Sequence, residues 1–275
     1  VDEVIGVAQE AASFDFGIIK MFYHISPEGA DEPLFEMDAD RFFDAETLGK
    51  ALDLGGSTVQ ATSRALPASF VGTTLGKLLL TQVYLYGMYG SVIDLSPERL
   101  TFQIEAHDDH AHLGFRIKEL LAETVPTEGA ARQLAEAWTA HVRAFLRPAV
   151  EAAAEAAAMK PAAIWQQYGA MAEYMKEYAA TLALPEPVQE RLSFAFRVLA
   201  EDIPAEAFGT RRNPYQHNPR YCDNPYPTGG DKLMMQSSCC LYDQREGGVK
   251  CYTCPMLTPE QRAERREQVL AEQAG

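Results

Sequence analysis

The 275 residues carry a formal net charge of −15, with 47% hydrophobic and 23% charged residues. A surface that acidic repels phosphate backbones, which argues against a nucleic-acid partner. The length allows a sizeable core without disulfides, and all five cysteines follow residue 221, unlike the spread expected of a stapled secreted protein.

In chain order, residues 1–12 place Val4, Ile5, Val7, Ala8 and Ala11 at helical spacing. Their acids, with no basic start, do not read as a secretory signal. Residues 14–19 and 21–25 are aromatic and β-branched and predict strand, His24 included, before a turn at Ser26-Pro27-Glu28-Gly29. Residues 44–54 read as a short helix stopped by Gly55-Gly56. The most apolar stretch is 66–95, but Lys77 interrupts it and Thr73, Thr74, Thr81 and Gln82 dilute it. The spacing predicts a buried helix over 69–89 rather than a membrane span, with peripheral contact at the inner membrane left open.

Residues 91–95 read as strand. Leu100, Phe102, Ile104 and Ala106 alternate along 100–107, and 112–117 answers them, which predicts a β-hairpin. From 126 to 201 the pattern is helical, punctuated by Pro148, Pro161, Pro185 and Pro187. Met171, Tyr174, Met175 and Tyr178 recur at helical spacing and read as core. Residues 210–230 are rich in proline and glycine and read as irregular. Thr258-Pro259-Glu260 predicts the cap of a last, charged helix. The expected organisation is α+β and predominantly helical, with a small N-terminal and central antiparallel β part. It divides into a mainly helical domain over 1–205, a connecting segment over 206–232 and a cysteine module over 233–275.

That module carries the chemistry. Cys239-Cys240 is followed after ten residues by Cys251-Tyr252-Thr253-Cys254-Pro255. Four thiolates so close in sequence can enclose one metal ion or one small cluster. Zinc sites usually present two Cys-x2–4-Cys pairs, whereas one half here is a vicinal pair, which cannot comfortably aim both sulfurs at one tetrahedral ion. Spacing therefore favours a [2Fe–2S] cluster, with a non-catalytic zinc module as the alternative. Gly247-Gly248 lets the connection turn back and lets backbone N–H groups approach the sulfurs.

The Cys-Cys-x10-Cys-x2-Cys pattern resembles the FhuF family of ferric iron reductases. Looser resemblance runs through Leu75-Gly76-Lys77 to Met88, through Leu95-Ser96-Pro97-Glu98-Arg99-Leu100-Thr101, and at Ile164-Trp165. The resemblance implies that Cys239, Cys240, Cys251 and Cys254 ligate a [2Fe–2S] cluster. It also implies one-electron reduction of iron(III) held by a hydroxamate siderophore in the bacterial cytoplasm, with association at the cytoplasmic membrane face left open. No nicotinamide or flavin signature is present, so the electrons are expected from an external donor, a ferredoxin or an NAD(P)H-dependent reductase. A relation to siderophore synthetases is a further alternative, but no nucleotide motif accompanies it.

Arg211, Arg212 and His217 precede the module and are candidates for binding the substrate or the cluster sulfurs. Cys222 reads as structural. His107-Asp108-Asp109-His110-Ala111-His112 looks metal-like but falls where a hairpin needs a polar turn. His141, between Trp138 and Phe145 on one helix face, reads as a core or edge histidine rather than a ligand.

Overall fold

The computed structural model describes residues 14–274, apart from 108, 109 and 229. The helix expected within 1–12 lies outside the described residues. The fold is α+β and mainly helical, built around α3 (Ala65–Tyr89). This helix is apolar on every side, so it must be surrounded rather than laid on a surface. It begins four residues earlier than expected, because Pro67 falls in the first turn, where its missing N–H is not needed. Gly90, at φ 67, ends it.

Helices α2 (Ala45–Thr58), α5 (Arg147–Ala156), α6 (Pro161–Trp165), α7 (Tyr168–Thr181) and α8 (Glu186–Arg197) pack on α3. The approach is close: a Cβ at Gly76 would sit 2.6 Å from Cζ of Tyr168. The Tyr168 hydroxyl donates to the Gly72 carbonyl at 2.6 Å, and that of Tyr215 to the Gly76 carbonyl at 2.8 Å. Two buried phenols are thus satisfied by the helix they pack on.

A four-stranded sheet packs against α2 and α3, in the order β1 (Ile25–Ser26), β5 (His110–Ile117), β4 (Leu100–His107), β2 (Pro33–Asp38). The expected hairpin is β4–β5, in register from Leu100 opposite Ile117 to His107 opposite His110. The sheet is not wholly antiparallel, since β1 runs parallel to β5. Strands β3 (Ser91–Ile93) and β6 (Ala122–Thr124) form a separate pair.

Three expectations are corrected. Residues 14–25 are mostly helix: α1 (Gly17–Tyr23) ends at His24, which takes a left-handed φ of 57. Of the side chains read as strand formers, Ile19 is buried in the core and Phe22 is exposed. Gly55-Gly56 lies inside α2, where bare backbone lets Pro67 and Ile104 approach. Pro148 does not break its helix, because a π-helical turn, Val142–Leu146, joins α4 (Ala130–His141) to α5 and relieves the demand of the ring on the preceding turn. Among the described residues, no helix is long and apolar enough to cross a membrane.

Candidate metal centre

After the irregular stretch, strands β7 (Tyr221–Asp223) and β8 (Lys232–Met234) lead into the cysteine segment, and α9 (Pro259–Ala274) follows it. The segment is fastened to the helical body at several points. Ser69 of α3 donates its hydroxyl to the Cys240 carbonyl at 3.1 Å. Thr62 N–H donates to the Gln244 carbonyl at 3.0 Å, and Glu246 N–H to that of Gln60 at 2.9 Å. The N–H of Ala170, in the first turn of α7, donates to Ser237 Oγ at 3.1 Å.

From α9, Arg262 donates to the carbonyls of Tyr252 and of Cys254, the latter at 2.9 Å. The Thr258 hydroxyl accepts from Gln261 N–H at 3.2 Å, and Gln261 Oε1 accepts from Thr258 N–H at 3.0 Å. This reciprocal cap sets the start of the helix that carries Arg262.

All five cysteines are free thiols. Leu241 adopts φ 64, uncommon for a side chain of its size, and its N–H donates to Cys239 Sγ at 3.4 Å. Strain at such a position costs about 1–3 kcal/mol and persists where the surroundings over-determine it. Gly247, at φ 65, makes the turn back. A Cβ at Gly248 would meet the Asp243 carbonyl oxygen at 2.6 Å. The Gly248 N–H bonds to the Arg245 carbonyl at 2.9 Å, and the backbone groups that favour thiolate are those of Leu241 at Cys239, Tyr242 at Cys240 and Met256 at Cys254 rather than the glycine pair.

Burial pushes the Cys254 thiol up to about 11 and raises that of Cys240, with neighbouring sulfurs adding to both. Lys250, 3.1 Å from Asp243, adds positive charge near Cys239 and Cys254. Arg245 stacks on Tyr242 at 4.1 Å. Cys222 lies on β7 with its thiol 3.7 Å from the Leu233 carbonyl, a structural contact. The donor set of four thiols, partly buried and supplied with an N–H and a nearby cation, fits an iron–sulfur cluster.

The other candidates divide. His217 packs its Cβ on Gly169 at the start of α7, beside the residue that holds Ser237, and its Nε2 is buried without a partner. Arg211 and Arg212 are exposed, and among the described residues their side chains make no hydrogen bond or ion pair with the cysteine segment. His141 is half-buried beside Phe145 with its Nε2 enclosed, and desolvation of that nitrogen lowers its pKa to about 4.

Sequence reasoning missed an apolar cavity of about 420 Å3 walled by Ile18, Phe22, Tyr23, Lys77, Tyr174 and Tyr178, among others. Of the four residues read as core on α7, only Met175 is buried, and all four line this cavity. Burial lowers Lys77 to about 8. Tyr174 links the cavity to the cysteine segment. Its hydroxyl donates to the Met234 carbonyl at 2.9 Å, Gln236 reaches it at 3.4 Å, and burial and then Cys251 raise its pKa. The signal was present as a helical stripe, but its partners on α1 and α3 are far away in sequence.

No curated protein matches the chain closely enough to count as a relative. Residues 237–255, with all four motif cysteines, match the family model of the FhuF 2Fe-2S C-terminal domain, and the resemblance of the chain to the FhuF family stands on that segment.

Proposed function

We propose that the protein is a ferric-siderophore reductase, in which Cys239, Cys240, Cys251 and Cys254 hold a [2Fe–2S] cluster. The observation that carries this reading is the four-thiol segment that matches the FhuF 2Fe-2S model. The vicinal Cys239-Cys240 pair supports it, since two adjacent residues do not comfortably aim both sulfurs at one tetrahedral ion, whereas two irons can share them.

When bound, such a cluster supplies single electrons at low potential. The chain's own residues stabilise thiolate charge through the Leu241 N–H and Lys250, and hold the loop through Ser69 and Arg262. The substrate chemistry needs no acid, base or nucleophile. A ferric hydroxamate gains one electron, its iron–oxygen coordination weakens, and iron(II) leaves the free ligand. Hard oxygen ligands favour iron(III), and each tenfold preference lowers its one-electron potential by about 59 mV, so the donor must be a strong reductant.

The apolar cavity beside Tyr174 is the proposed seat of part of the chelate, whose periphery is largely uncharged. Electrons would enter from a ferredoxin or an NAD(P)H-dependent reductase. The test is stopped-flow mixing of dithionite-reduced protein with ferric hydroxamates under a ferrous-specific chelator. Rapid reoxidation with one iron(II) trapped per electron is expected, and a reduced protein inert to every ferric chelate would overturn the reading.

A further inference from the structure

The cysteines are not the only metal-ligating side chains that the fold gathers. Residues 107, 110 and 112 read in sequence as a polar hairpin turn, but the register puts them on one face. His107 is directly opposite His110, and His112 is two residues along the same strand. Side chains alternate along a strand, so His110 and His112 share a side, and a cross-strand partner shares it too.

Their ligating nitrogens all lie within 4.8 Å of one another. Nε2 of His110 and Nε2 of His112 are 3.2 Å apart. A tetrahedral ion with metal–nitrogen bonds of 2.0–2.1 Å separates two ligating nitrogens by about 3.3 Å. The rings of His107 and His112 stack at 4.2 Å, and the ring of His24 stacks on that of His112 at 3.9 Å and 17°. Glu105 is opposite His112 in the ladder.

We propose that His107, His110 and His112 form a binding site for a divalent late first-row transition-metal ion, distinct from the cysteine centre. Imidazole is a ligand of intermediate softness that suits zinc, copper and nickel. The site has three nitrogens from the paired strands β4 and β5, and His24 buttresses one ring from the left-handed end of α1. Three protein ligands leave a further coordination position for water or an exogenous ligand, as in zinc sites that are not closed. The cysteine segment contributes no ligand.

The test is calorimetric titration of tag-free, full-length, anaerobically purified protein with nickel chloride, followed by the paramagnetic spectrum of the copper(II) form. One equivalent is expected to bind, with nitrogen hyperfine structure in the copper spectrum. His110→Ala weakens binding at least tenfold, and H107A/H110A abolishes it, while far-ultraviolet dichroism and the visible chromophore of the protein stay unchanged. Wild-type protein that takes up no nickel overturns the proposal. So does a double variant that binds as tightly as wild type. A short His110–His112 contact that is only a hydrogen bond predicts the first of these outcomes.

Discussion

At the residue scale, burial decides the protonation of the groups that matter. His141 is neutral in the folded protein, with a pKa near 4, against about 6.5 when unfolded. The unfolded chain therefore binds the extra proton between those values, and the folded chain does not. The stability from neutral His141 is present in full above about pH 6.5. It declines as pH falls toward 4, by up to about 1.4 kcal/mol per pH unit. Asp94 opposes part of this by favouring the charged ring. His141→Leu should flatten the difference between urea midpoints at pH 7 and pH 5, and an unchanged difference would refute the assignment. The same scale explains why the candidate cysteine ligands were legible. All four lie within sixteen consecutive positions, so their chemistry is written locally. The supporting groups Ser69, Tyr174 and Arg262 are remote in sequence and carry no mark of their role.

At the element scale, α9 is the clasp on the cysteine segment. Its start rests on the Thr258–Gln261 cap, and its Arg262 holds two carbonyls of the loop. Thr258→Ala should cost about 1 kcal/mol of local stability. Amide exchange in the first turn of α9 should then accelerate roughly fivefold, and exchange at the wild-type rate would show that the cap is idle. This helix and the β4–β5 hairpin were readable because cap chemistry and alternation are local signals. Helix α1 was not, since its aromatics are chosen for contact with α3 and α7 rather than for strand pairing, as in the edge-to-face approach of Phe22 and Tyr178 at 4.6 Å. Gly55-Gly56 misled for a related reason: glycine weakens a helix by about 1 kcal/mol, but here the missing side chains admit Pro67.

At the scale of the whole molecule, the helical body does more than carry a cofactor module. It supplies the cavity that reaches the cysteine segment through Tyr174. Three elements distant in sequence build that cavity, so no window of sequence could show it. Tyr174→Ala should raise KM for a ferric hydroxamate several-fold while the reduced-state spectrum stays as in wild type. An unchanged KM would move the substrate elsewhere, with the surface near His217 as the next place to look. The central claim is tested most directly by iron and acid-labile sulfide analysis of anaerobically isolated protein, read together with its paramagnetic spectrum after reduction. Two irons and two sulfides per chain and a reduced-state signal are expected, all lost in Cys254→Ser. One equivalent of zinc, with neither iron nor sulfide, would contradict it.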